Sequence, residues 1–164
     1  MLWKTLLVAW ACGVVMHFLY RPLGQPRFLR ALFPVSENVW EHFKMAFWPL
    51  CGAMAFVGVQ TARPWASVAA AAAAASVYAM LMMFGLFYTY VVGLGAGRCL
   101  LWVDILSFAA VMTSGYLIGL RVLSYDIPVL WGGAAAALLV LAVVLLHRLS
   151  FDCPDLPMFR EGGL

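Results

Sequence analysis

The sequence predicts an all-α, polytopic integral membrane protein with five transmembrane helices in one bundle. Its 164 residues are 66% hydrophobic and only 10% charged, whereas a soluble domain has about 25% charged residues. A water-soluble fold of this length cannot bury so much apolar surface, so the bilayer must be its solvent. The apolar residues also form five long runs, and a helix needs about 20 residues to cross roughly 30 Å of hydrocarbon.

The transmembrane domain is expected to cover residues 1–147. A helix is the expected form of each span, because in lipid every backbone N–H and C=O needs a partner within the protein. The first apolar run resembles a signal peptide but continues to Tyr20, which favours a retained first span. The predicted spans are residues 2–20, 39–60, 65–92, 99–122 and 129–147, and a polar tail at 148–164 follows them.

Two connections have a distinctive composition. Residues 21–35 contain three arginines and three prolines, which predicts a basic surface loop with a short interfacial helix around residues 28–33. Residues 93–98 are rich in glycine, but their spacing is not G-x-G-x-x-G and no strand precedes them, so a nucleotide-binding loop is not expected. Cys99 and Cys153 fall near the same membrane face, which leaves a disulfide between them open.

The expected partners follow from charge and from small residues. The net charge is only +3 and the basic residues are scattered, so no nucleic-acid surface is expected. Membrane lipids are the expected surroundings. Gly115 and Gly119 form a G-x-x-x-G pair, which lets helix backbones approach closely and is a candidate contact for a homo-oligomer.

The distribution of Lys and Arg predicts the orientation. Seven of the ten lie on the side of the first loop and the C-terminus, and only Lys4, Arg63 and Arg121 lie on the other. The excess of basic residues marks the cytoplasmic side. We therefore expect the N-terminus outside and the C-terminus in the cytoplasm, in the plasma membrane.

Ionisable residues gather at one face. On a five-span path, all three histidines, including His147, and every acidic residue except Asp126 fall on the same side. Placing such a group at membrane depth costs a few kcal/mol of free energy, so these side chains usually face a bundle interior or a wet cavity. The sequence thus predicts a polar pocket at this face, with six candidate residues: His17, Glu37, Glu41, His42, Lys44 and Asp104.

Residues 36–44 form the centre of this polar group. Ser36 is the expected N-cap of the second helix. Glu37, Glu41 and Lys44 share one helical stripe and are expected to form an ion-pair ladder that faces water or headgroups. The neighbouring stripe is expected to face the bundle, and it consists of Asn38 and His42. Trp40 is typical of an interfacial aromatic belt and of contacts between helices.

Three chemical interpretations of the pocket stay open. His17 and His42 with a carboxylate from Glu41, Glu37 or Asp104 would form a divalent-metal site with two histidines and one carboxylate. A catalytic or proton-transferring group would use His42 with Glu41 and Asp104. A polar network that only holds the bundle together is the third interpretation. In each case the candidate binding residues beside this group are Glu37, Asn38, Trp40 and Lys44.

Most of the chain resembles a known family, and the specific motifs lie in the first 50 residues. The first span ends in His17-Phe18-x-Tyr20, and residues 34–44 read P-V-S-E-N-V-W-E-H-F-K. This is similar to a bacterial family of small five-span membrane proteins, classed as a domain of unknown function, with a V-N-E-S-V-W-E-H-x-K type motif. Ser36 and Asn38 stand where that family usually has Asn and Ser. The resemblance implies a multi-pass protein of the bacterial inner membrane, and it implies no particular activity.

Three classes of function therefore remain. The first is a small membrane enzyme acting on a lipid-like substrate from the cytoplasmic face. The second is a transporter or ion-translocating subunit, which at five spans would work as an oligomer. The third is a structural or assembly factor, whose polar residues serve folding or docking. The sequence does not choose among them.

Overall fold

Five helices, each long and apolar enough to cross a membrane, pack together in one bundle, as predicted. The structure is a computed structural model, and it describes residues 2–24, 26–93 and 101–160. Each helix matches a predicted span to within a few residues. The helices in these ranges are α1 Leu2–Leu19, α2 Val39–Gln60, α3 Trp65–Phe87, α4 Leu101–Leu123 and α5 Val129–Arg148.

The predicted turn at residues 93–98 falls almost entirely outside the described ranges. Its approach is visible, because α3 continues into a π-helical turn, Tyr88–Gly93, which explains why the apolar run extends past the α-helix. Cys99, and with it the disulfide to Cys153 that the sequence left open, also lies outside the described residues.

α2 is the central helix and contacts all four of the others. Of the residues in its membrane-spanning window, 61% are buried, against 11% for α5. The outer surface of α5 carries exposed apolar side chains such as Leu130, Trp131 and Val140. In a bilayer this surface faces lipid chains, whereas α2 has the largest buried share of the five described helices. That is why polar side chains on α2 can be enclosed.

Glycines permit the close approach of the helices. A Cβ added to Gly119 would lie 2.5 Å from the Met54 sulfur and 3.1 Å from the Ala75 Cβ, and one added to Gly115 would lie 3.2 Å from the Ala75 carbonyl oxygen. Both glycines are buried where α4 packs against α2 and α3. The G-x-x-x-G pair therefore serves packing within the chain, and a contact with a second copy stays a prediction.

Two segments outside the spans cover the N-terminal end of α2. The first loop contains a 3-10 helix, Arg27–Ala31, close to the predicted interfacial helix, and the Trp48 indole donates to the Ala31 carbonyl at 2.9 Å. The tail forms a 3-10 turn, Pro157–Phe159. Phe159 is buried with its ring centroid 5.5 Å from that of Trp40. Although the tail is polar in sequence, it folds back onto the bundle.

Candidate functional site

His17, Glu37 and His42 come together at the face where α1 ends and α2 begins. One donor atom from each lies within 4.8 Å of the other two. A Glu37 carboxylate oxygen is 3.8 Å from His17 Nε2 and 3.6 Å from His42 Nε2, and the two imidazole centroids are 5.2 Å apart. The three side chains therefore point their donor atoms toward a common point.

Packing between α1 and α2 brings the two histidines together. His17 lies in the last turn of α1, one turn after Gly13. A Cβ on Gly13 would lie 2.7 Å from the Met45 carbonyl oxygen of α2, so only glycine permits this approach. Because His42 lies three residues before Met45, the close contact places its ring beside that of His17.

Glu37 reaches the histidines because it precedes the second helix. The N-cap of α2 is Asn38, whose side-chain oxygen accepts from the Glu41 N–H at 2.8 Å. The expectation that Ser36 is the cap is wrong, because the Ser36 hydroxyl instead accepts from the Asn38 amide at 2.9 Å. The N-cap thus lies two residues later than expected, and the helix begins at Val39. Glu37 is freed from the stripe of Glu41 and turns toward the imidazoles.

The tautomer of His42 follows from its surroundings. Its Nδ1 lies 2.8 Å from the Asn38 carbonyl oxygen. A carbonyl oxygen only accepts, so Nδ1 carries the proton and the lone pair of Nε2 faces Glu37 and His17. Metal-binding histidines are commonly oriented in this way, by a backbone carbonyl or carboxylate on the other ring nitrogen.

The exposure of the three side chains suits a site that is reached from outside the bundle. The exposed side-chain fractions are 68% for Glu37, 32% for His42 and 23% for His17. Neutral imidazole and carboxylate are the ligands of zinc and related metals. With bonds of about 2.0–2.2 Å, neighbouring ligands of a tetrahedral metal lie roughly 3.3–3.6 Å apart. The observed separations from Glu37 are close to that range, and a fourth position would stay open.

Glu41 does not join this group. Its two oxygens accept from the Lys44 ammonium at 2.6 Å, the Val35 N–H at 2.9 Å and the Ser150 hydroxyl at 2.7 Å. Adjacent residues on a helix differ by about 100° in direction, so Glu41 and His42 face different neighbours. The expectation that Glu41 supplies the carboxylate beside the histidines is corrected by this geometry, and Glu37 takes that place.

Lys44 and Ser150 complete a buried polar ring with Glu41. The Lys44 ammonium donates to Glu41, to the Ser150 hydroxyl at 2.5 Å and to the Arg30 carbonyl at 2.5 Å. These three acceptors match the three donors of an ammonium group, and Lys44 and Glu41 are 0% and 1% exposed. The ion pair predicted between Glu41 and Lys44 is present, but it is enclosed and does not face headgroups.

Ser150 was missed by the sequence reasoning. It follows α5 and lies 109 residues from Glu41, and no local pattern marks it as more than an ordinary serine after a helix. Through it, the ring joins α2, the first loop and the end of α5. Its position leaves the Lys44 side chain 0% exposed.

Three further predicted residues are not among the converging side chains. Asp104 is exposed in the first turn of α4 and is not one of the three converging side chains. Trp40 is buried and stacked on Phe84, with ring centroids 6.3 Å apart, so it belongs to the core rather than to an interfacial belt. His147 is exposed and packs edge-on against Phe151.

Comparisons with known proteins identify the family of this chain and assign no activity to it. The profile of DUF6512, a family of unknown function, matches residues 2–163. No curated protein and no solved structure matches the chain.

Proposed function

The chain belongs to this family of unknown function, and we propose that it is a membrane enzyme whose His17, Glu37 and His42 hold a divalent metal ion. One observation carries the proposal, namely the convergence of three donor atoms within 4.8 Å. Histidine and carboxylate side chains on an apolar bundle are costly at membrane depth and generally serve a purpose there. Three protein ligands with an open position are the usual arrangement of a catalytic zinc site.

A metal held in this way would act as a Lewis acid. It would polarise a carbonyl or phosphoryl oxygen, and it would lower the pKa of a bound water far below its ordinary value. Glu37 is the most exposed of the three ligands, so the open side of the group faces outward. A substrate would approach from the headgroup layer.

The loop between the ligands favours a lipid-like substrate. Arg21 and Arg27 are exposed on this loop, as are the apolar side chains of Leu23 and Phe28, the latter 73% exposed. Basic and large apolar side chains side by side are typical of segments that lie in the membrane interface. We propose that the substrate is the polar end of a membrane lipid, in the inner membrane of a bacterium, with the site and the C-terminus on the cytoplasmic side.

Metal analysis of the purified protein tests this proposal. We expect about one equivalent of a transition metal in the wild type, and at least a tenfold weaker affinity in H17A, E37Q and H42A. His147→Ala is the matched control, because this histidine is predicted at the same face but lies outside the group. Equal metal content in all five proteins would refute the site. Release of a headgroup from lipid vesicles, lost in E37Q, would then test the reaction.

A structural or assembly role is the second candidate, and the buried ring of Glu41, Lys44 and Ser150 favours it. In that case the substitutions at His17, Glu37 and His42 would change protein abundance without changing any metal content. Transport by an oligomer stays a prediction from the sequence.

A further inference from the structure

The C-terminal turn reaches the residue that orients His42. We infer that Asn38 is a positioning residue for the metal ligand His42, and that docking of the turn Pro157–Phe159 onto Asn38 is needed to hold it. This inference rests on the proposed metal site and adds the tail, 121 residues away in sequence, to its supporting structure.

The first step is the contact between His42 and Asn38. The Asn38 carbonyl oxygen accepts from His42 Nδ1 at 2.8 Å, and it also accepts from the His42 backbone N–H at 3.2 Å. Because both bonds end on one oxygen, the orientation of the Asn38 peptide determines where the His42 ring points. A shift of this peptide would turn Nε2 away from Glu37 and His17.

The second step is the side chain of Asn38, which is buried and fully bonded. Its oxygen accepts from the Glu41 N–H at 2.8 Å, and its amide nitrogen donates to the Ser36 hydroxyl at 2.9 Å and to the Phe159 carbonyl at 3.3 Å. The Phe159 carbonyl only accepts, which fixes the amide with its nitrogen toward the tail. Three bonds in three directions hold the residue in place.

The third step is the anchoring of the tail. The Phe159 ring is 8% exposed and lies against Trp40, and Trp40 packs in turn on Phe43 and Phe84. The apolar ring is what keeps the carbonyl of the same residue next to Asn38. Without it, the tail would lose its largest buried contact and Asn38 would lose one acceptor.

The test is a titration with Co²⁺, whose visible absorption reports the ligands that bind it. We expect F159A and N38S each to weaken Co²⁺ binding by about 10–100-fold, which is the usual effect of losing an outer-shell partner of a metal ligand, and to alter the absorption bands. Serine is a good N-cap, so N38S keeps the helix start and removes the bond to Phe159. L156A is the control, because Leu156 is exposed in the same segment.

The double variant N38S/F159A separates a shared contact from two independent effects. N38S and F159A both remove the bond between Asn38 and Phe159. If the tail acts through Asn38, the double variant therefore binds Co²⁺ as tightly as whichever single variant has the lower affinity. A fully additive loss would overturn the inference. So would Co²⁺ affinity within twofold of wild type in F159A when proteolysis shows that its tail is released.

Nitrogen NMR of the metal-free protein keeps this inference separate from the proposed function. We expect His42 of the wild type to be the tautomer with the proton on Nδ1, and F159A to show a mixture of tautomers. If wild type fails to bind Co²⁺, the proposed function is wrong, and the tautomer comparison still decides the positioning of His42. An unchanged tautomer in F159A would refute that positioning.

Discussion

Replacing Lys44 with methionine tests whether the buried ring stabilises the bundle. Methionine keeps the apolar stem of the side chain and removes the ammonium, which is 0% exposed and 2.6 Å from the Glu41 carboxylate. Removing one partner of a buried ion pair costs about 3–5 kcal/mol, because the other charge stays buried without its partner. The carbonyl of Arg30 and the hydroxyl of Ser150 also lose a donor. We therefore expect the free energy of unfolding of K44M to fall by about this amount.

A second variant shows that the loss comes from the stranded carboxylate. In E41L/K44M both charges are gone, and apolar replacement of a whole buried pair is often neutral. We expect this double variant to recover most of the stability that K44M loses. The control is R63M, since the pair of Arg63 and Asp126 is partly exposed and such pairs are worth about 0.2–1 kcal/mol.

Unfolding in detergent micelles, by heat or by increasing SDS, measures these differences. At roughly 2–4 °C per kcal/mol for a chain of this size, the expected decrease in Tm is about 6–20 °C for K44M. A decrease in stability below about 1 kcal/mol in K44M would refute the reasoning. A double variant as unstable as K44M would also refute it, because the carboxylate would then not be the cause.

Two further predictions concern packing and orientation. A Cβ at Gly132 would lie 2.4 Å from the Ala66 Cβ and 2.5 Å from its Cα, whereas nothing lies within 4 Å of one at Gly133. G132A should therefore lose about 1–3 kcal/mol of unfolding free energy in the same assay through overpacking. A loss equal to that of the control G133A would contradict this prediction. In a variant whose only cysteine is Cys153, a membrane-impermeant maleimide should label intact spheroplasts only after permeabilisation, and labelling without it would reverse the proposed orientation. Partial burial and the nearby Glu41 carboxylate raise the pKa of this thiol, so the labelling is done at about pH 9, where more of the reactive thiolate is present.

The spans were predictable because hydropathy and length are local properties. The boundaries of α2 are those expected from the sequence, Val39–Gln60, and those of the other helices differ by a few residues. That His17 and His42 lie at the same face also followed from the order of the spans, since one residue ends the first helix and the other begins the second. These inferences need no knowledge of which side chains touch.

The choice among the carboxylates was not predictable. Glu37, Glu41 and Asp104 all lie at the expected face, and only the first has a donor atom beside both imidazoles. The deciding feature is that Asn38 rather than Ser36 is the N-cap of α2, a shift of two residues in the capping position. Helix ends are where sequence patterns are least informative, because several short polar residues there can each serve as the cap.

By itself, the sequence determined that this chain has five helices long and apolar enough to cross a membrane and that His17 and His42 lie at one end of the bundle, because apolar length and residue order are sufficient for both. The tertiary structure alone decided that Glu37 joins the histidines, that Glu41 and Lys44 are enclosed with Ser150, and that Phe159 returns to Asn38. The last two contacts join residues more than 100 positions apart. Such contacts depend on how the helices pack, which no local pattern records.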